Sequence, residues 1–133
     1  MPSLFDSICV GDVQLPNRIV MAPMTRSRAN PAGEPTELHV EYYRQRASAG
    51  LVISEGVYAS HEGKGYCRTP GIVTKGQVDA WRAVTNAVHG AGGRFAMQLM
   101  HCGRIGHPDN KVPGTDAVAP SAIRADTKIF TEQ

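Results

Sequence analysis

The sequence predicts an α/β fold with parallel strands, and three observations predict it. Short, largely apolar runs stand at Ile19–Ala22, Leu51–Ile53 and Arg94–Met100. Each of the first two is followed, after a loop, by a segment of helical period. Both helical segments close on glycine just before the next apolar run. Two consecutive strand–helix–strand units imply parallel strands with right-handed crossovers.

The elements follow in order. Ser7–Leu15 reads as a small hairpin turning at Gly11–Asp12, a cap outside the parallel sheet. Ile19–Ala22 is apolar, partly β-branched and stopped by Pro23, as expected of a buried strand ending at a loop. The loop Ala22–Pro31 (APMTRSRANP) is rich in hydroxyls, arginines and prolines, and a loop of that length is expected to hold something. Thr36 after Pro35 caps a helix that runs toward Gly50, with Leu38, Tyr42 and Ala49 on its apolar face. Leu51–Ile53 is the second strand, and Ser54 to Thr74, with Gly63, Gly65, Pro70 and Gly71, reads as loop. Thr74-Lys75-Gly76-Gln77 supplies a capping box. Val78, Trp81, Val84, Val88 and Ala91 then recur at helical spacing before Gly92-Gly93. Arg94–Met100 is the third strand, and from Gly103 onward no period of either kind is visible.

Composition narrows the function classes. The 133 residues are 41% hydrophobic and 20% charged, which is globular composition, and the formal charge of +2 is scattered rather than gathered in a basic stripe. No nucleic-acid partner is expected. A run of about 18 apolar residues, the mark of a membrane span, is absent from the sequence, and the N-terminus lacks a leader pattern. The expectation is a soluble cytoplasmic protein with no membrane partner. Cys9, Cys67 and Cys102 are odd in number and lack a CxxC spacing, so free thiols are expected. No HExxH or other metal-ligand spacing occurs, nor GxGxxG after a strand, GxxxxGK[ST] or GxSxG.

Parallel α/β folds gather ligands where the carboxyl ends of the strands meet the loops. Pro23-Met24-Thr25, Ser54-Glu55-Gly56 and Gln98-Leu99-Met100-His101 all stand at such ends. Alternation puts Ala96, Gln98 and Met100 on one strand face. Gln98 can donate and accept, which suits a heterocycle with alternating carbonyls and ring nitrogens, and it reads equally as a structural glutamine. Thr25 reads as ligand or turn cap, and Gly56 as close approach or tight bend. Glu55 reads better as a hydrogen-bonding strut than as a base, and His101 better as a loop tie than as a catalytic group. Tyr66 lines a pocket or packs its loop.

Collinear blocks carry a resemblance: Leu15-Pro16-Asn17-Arg18-Ile19-Val20-Met21-Ala22-Pro23-Met24-Thr25-Arg26, Tyr42-Tyr43-Arg44-Gln45-Arg46-Ala47-Ser48-Ala49-Gly50-Leu51, Gly63-Lys64-Gly65-Tyr66, Gln98-Leu99-Met100-His101-Cys102-Gly103-Arg104 and Ala119-Pro120-Ser121-Ala122. From Leu4 to Ile123 the chain resembles the Old Yellow Enzyme family, in particular its N-ethylmaleimide reductase-like NADPH:flavin oxidoreductases. The resemblance implies a TIM (β/α)8 barrel holding FMN at the carboxyl ends of its strands, of which residues 1–133 are an incomplete N-terminal segment of about three β/α units.

By the same resemblance, Pro23 and Met24 border the isoalloxazine, the Thr25 hydroxyl bonds the flavin C4 carbonyl, Gly56 brings its backbone close, and Gln98 binds the pyrimidine edge. Tyr66 and Met100 line the substrate side. Relatives commonly carry an aromatic at the Met100 position, so a softer wall is implied. The implied reaction is NADPH-driven hydride transfer, through the flavin, to alkenes conjugated to a carbonyl or nitro group. No catalytic residue is assigned to this chain, because the substrate-gripping pair, the proton donor and the phosphate site belong to later strands in the family. The remainder of the barrel, in the same or another chain, is the expected partner. The alternative is a non-catalytic barrel fragment acting only by association with other chains; an independent flavodoxin-like module is disfavoured by the shortage of strands. Three of eight strands cannot close a barrel, so the polypeptide alone is expected not to be a well-folded monomer.

Overall fold

A computed structural model describes residues 1–132. Strands β1 (Ile8–Val10) and β2 (Val13–Leu15) form an antiparallel hairpin, and Gly11 at its turn has φ +56°. The left-handed conformation is one that glycine adopts without a Cβ penalty. Strands β3 (Val20–Met21), β4 (Leu51–Tyr58) and β5 (Phe95–Met100) form a separate parallel sheet in the order β3-β4-β5. Helix α1 (Glu37–Arg44) links β3 to β4, and α2 (Lys75–Gly90) links β4 to β5. The two strand–helix–strand units expected from the sequence are therefore present.

The caps explain where the helices start. The Gln77 backbone N–H donates to Thr74 Oγ1 at 3.2 Å, while the Thr74 N–H donates to Gln77 Oε1 at 3.1 Å, so two otherwise orphaned amides are satisfied together. At α1 the box is closed by His39, whose Nδ1 accepts the Thr36 N–H at 3.0 Å. Helix α1 stops at Arg44, short of the expected Gly50. The chain covers the interval in tight turns, with Arg46 N donating to Tyr43 O and Ala49 N to Arg46 O. Gly50 is required where it stands, since a Cβ there would lie 2.1 Å from the Asn17 carbonyl oxygen.

Between the sheet and the helices lies one core of Tyr43, Ala47, Val52, Val57, Trp81, Val84 and Val88, with Phe95 and Met97 packed against it. Tyr43, Trp81 and Phe95 form an aromatic triangle with centroids 5.4 to 6.2 Å apart. The buried face of α1 differs in part from the expected one: His39 and Tyr43 turn inward and Leu38 is exposed, while Tyr42 and Ala49 are half-buried and pack against the core. The reason is polar. His39 is drawn in by the capping box and Tyr43 by a buried partner described below, whereas the Tyr42 ring is covered by the guanidinium groups of Arg26 and Arg46, at 5.1 and 3.9 Å from its centroid.

Strand β4 is longer than the run Leu51–Ile53. It continues through Ser54, Glu55 and Gly56 to Tyr58, residues that the polarity of the sequence had assigned to a loop. Strand β3 is not buried; Val20 is 48% exposed, because the structure pairs it on one side only. After β5, among the described residues, only the short 3-10 turns 103–105 and 108–110 are regular.

Candidate functional site at the carboxyl ends of the strands

Parallel pairing brings three sequence-distant segments to one end of the sheet. Val20 and Met21 pair with Leu51 and Val52, so the loop leaving β3 runs beside the second half of β4. Gly56 and Tyr58 pair with Gln98 and Met100. The Arg26 backbone N–H donates to Glu55 Oε2 at 3.1 Å, which fixes the residue after Thr25 to the residue before Gly56.

The loop after β3 is held along its length. The Ala29 N–H donates to Arg68 O at 3.0 Å and Arg68 Nε returns a bond to Ala29 O at 3.1 Å. Gly71 N donates to Gly33 O, and Gln77 Nε2 to Ala32 O, both at 2.9 Å. Ser27 and Arg68 have φ of +51° and +49°, so each side of this crossing contains a backbone conformation that non-glycine residues seldom adopt. The hydroxyl-, arginine- and proline-rich stretch is thus a fixed shelf.

On that shelf Pro23 is half-buried, while Met24 and Thr25 are exposed. Gly56 is buried, and the Met100 side chain lies over it: a Cβ on Gly56 would stand 2.7 Å from both Sδ and Cε of Met100. Phe95 and Met97 pack toward the helices, which leaves Ala96, Gln98 and Met100 on the opposite face, as the alternation requires. The Gln98 side chain is exposed. Neither its amide nor the Thr25 hydroxyl engages a hydrogen bond among the described residues. Tyr66 stands in the following loop, half-exposed, and its carbonyl accepts from Thr69 Oγ1 at 3.1 Å. Among the described residues no hydrogen bond or ring contact joins it to Gly56, Gln98 or Met100.

Beneath the shelf is a polar cluster that the sequence did not reveal. The Glu55 carboxyl group is fully buried. Its Oε1 lies 3.4 Å from the Tyr43 hydroxyl and 3.3 Å from His39 Nε2, and the Glu55 N–H donates back to the Tyr43 oxygen at 2.8 Å. Burial pushes the Tyr43 hydroxyl well above the usual phenol range, so it remains a donor. Glu55 behaves as the strut expected of it. His101 is a loop tie, its Nδ1 accepting the Gly103 N–H at 3.1 Å. Ser54, Tyr43 and His39 were missed as partners because Ser54–Gly56 read as loop; the signal available was Val57-Tyr58, which resumes β propensity directly after Gly56.

Residues 3–133 match the NADH:flavin oxidoreductase / NADH oxidase family. The chain belongs to this family. The NADP-dependent oxidoreductase lnbE of Aspergillus flavus is 40% identical over 129 residues, covering 95% of this chain and 34% of that protein. A probable flavin mononucleotide-dependent alkene reductase of Leishmania infantum is 41% identical over 116 residues, covering 87% of this chain and 32% of that protein. The solved structure of the old yellow enzyme homologue from Zymomonas mobilis superposes with a TM-score of 0.92 at 49% identity, over 98% of this chain and 36% of that one. The chain spans about a third of the length of the curated relatives it matches. Its three strands and two helices are the N-terminal part of an Old Yellow Enzyme (β/α)8 barrel.

The residues at the strand ends fit a flavin. Among the described residues the Thr25 hydroxyl and the Gln98 amide make no hydrogen bond, and the same strand ends carry the apolar Pro23, Met24 and Met100 and the side-chain-free Gly56. Such a donor and acceptor set suits the heteroatom edge of a flat, largely apolar ring. No helix among the described residues is long and apolar enough to cross a membrane.

Proposed function

We propose that this chain contributes one side of the FMN site of an NADPH-dependent ene-reductase, acting on small α,β-unsaturated carbonyl or nitro compounds. The observation that carries the reading is the convergence of Thr25, Gly56 and Gln98, with neither polar side chain hydrogen-bonded among the described residues. The names of the relatives, an NADP-dependent oxidoreductase and a flavin mononucleotide-dependent alkene reductase among them, support the same chemistry. Residues 1–133 are read as an incomplete barrel domain that works with the remainder of the barrel, in the same or another chain.

When bound, the flavin supplies hydride transfer, and the protein supplies binding, orientation and electrostatics. Pro23 and Met24 offer an apolar surface that packs on the ring and excludes water from it. The Thr25 hydroxyl and the Gln98 amide hold its polar edge. Donors aimed at that edge favour the extra negative charge it bears after reduction, so these residues tune the reaction rather than carry it out. Gly56, lacking a side chain, lets the backbone come close. Met100 and Tyr66 bound the substrate side, Met100 as a deformable wall.

The test is a pair of substitutions in the assembled barrel. Gln98→Ala is expected to weaken FMN binding by about tenfold, the worth of one or two ordinary hydrogen bonds, in a fluorescence titration of apoprotein. Thr25→Ala is expected to change the rate of flavin reduction by NADPH in anaerobic stopped-flow. Unchanged affinity in the first and unchanged kinetics in the second would remove both assignments.

A further inference from the structure

Strand β4 contains an irregularity with a cost and no evident packing gain. Val52 and Val57 are five residues apart, so in a regular strand they face opposite ways, yet both are fully buried in the helix-side core. The register shows how: Ile53 pairs with Ala96 and Gly56 with Gln98, three steps on β4 against two on β5. The additional residue lies at Ser54–Glu55 and forms a bulge, which disrupts the ladder locally. It also turns the Glu55 carboxyl into the apolar layer beside Tyr43, where such a group is costly unless fully partnered.

The partners account for both features. Glu55 Oε2 is the acceptor for the Arg26 N–H, one residue beyond Thr25, at 3.1 Å. Oε1 is approached by Tyr43 and by His39 Nε2. His39 Nε2 lies 3.3 Å from Oε1 without reaching hydrogen-bond geometry, and the ring is held on its other side by the Thr36 N–H, which donates to Nδ1. Ser54 Oγ accepts the Gln98 backbone N–H at 3.0 Å, replacing a partner across the bulge, and its own hydroxyl donates to Glu55 O at 2.7 Å. An apolar residue at position 55 would pack against Tyr43 as well as glutamate does, but it could not reach the loop after β3.

We infer that Ser54 and Glu55 are the positioning residues of the site, Glu55 setting Thr25 through the Arg26 amide and Ser54 setting Gln98 through its own amide. This inference rests on the flavin reading above. One strand irregularity thereby sets the spacing between the two polar side chains that flank Gly56.

The test is a double-substitution cycle in the assembled enzyme, read by FMN titration of apoprotein and by the rate of flavin reduction. Glu55→Gln keeps the size of the side chain but turns an amide N–H toward existing donors. It is expected to weaken FMN binding by about three- to tenfold, the range for one displaced hydrogen bond, and to shift reduction in the same direction as Thr25→Ala. In the Thr25→Ala background Glu55→Gln should add nothing, since both act through one contact. Ser54→Ala is tested against Gln98→Ala in the same way, and it decides the matter if Glu55→Gln does not fold. Full additivity in these cycles, or a silent Glu55→Gln beside an effective Thr25→Ala, overturns the inference while leaving the flavin reading intact. A silent Thr25→Ala together with a silent Gln98→Ala removes the flavin reading and the inference with it.

Discussion

The middle of the sheet and its edges are built to different standards. In β4, Val52, between β3 and β5, and Val57, beside β5, are fully buried under the layer of α1 and α2. At the edges Val20 is 48% exposed and Leu99 61% exposed, with backbone groups that have a partner on one side only. The centre of the helix-facing side is therefore closed, whereas the two edges, Leu99 included, and the face bearing Gln98 stay open. Unpaired parallel edges are templates for association.

The largest effect expected from that contrast concerns the 133-residue polypeptide on its own. It should self-associate and melt without a cooperative transition, and it should gain a single sedimenting species when the rest of the barrel is supplied. A monomer with a sharp melt would show that the central core suffices. Next comes Trp81→Ala, which removes the largest side chain of that core and the Nε1 bond to Gly71 O at 3.1 Å. Urea unfolding of the assembled barrel should show a loss of about 3 to 5 kcal/mol. Leu99→Ala sharpens the contrast: if the neighbouring β/α unit covers that edge, the cost rises to about 2 kcal/mol or more, against about 0.5 kcal/mol for a site left at the surface.

The smallest effect is chemical. Cys9 is exposed on the hairpin, while Cys102 is half-covered beside Gly65, and burial pushes its thiol up. Alkylation followed by mass spectrometry should find Cys102 slower by about two- to tenfold, because the thiolate is the reactive form. Equal rates would mean that the loops over β4 and β5 open freely.

Much of the fold was legible because its signals are local. Thr74 with Gln77, the period Trp81, Val84, Val88, and Gly92 at φ +81° each state a helix boundary or face within a few residues. The buried side of α1 was only partly legible, since Tyr42 and Tyr43 are chemically alike and their partners, Arg46 and Arg26 for one and Glu55 for the other, decide which is fully buried. The second half of β4 was misread for a related reason. Ser54 and Glu55 are polar, and the partners that permit their burial, Gln98 and Arg26, lie 44 and 29 residues away. The same long-range bonds make the site, so its residue types could be picked out from the sequence while the bulge that spaces them could not.

The most direct measurement is a crystal structure of the flavin-loaded enzyme. The account predicts the ring lying across Pro23, Met24 and Gly56, with the Thr25 hydroxyl and the Gln98 amide within about 3.2 Å of its heteroatoms. A ring seated elsewhere, with those two side chains turned to solvent, would contradict it.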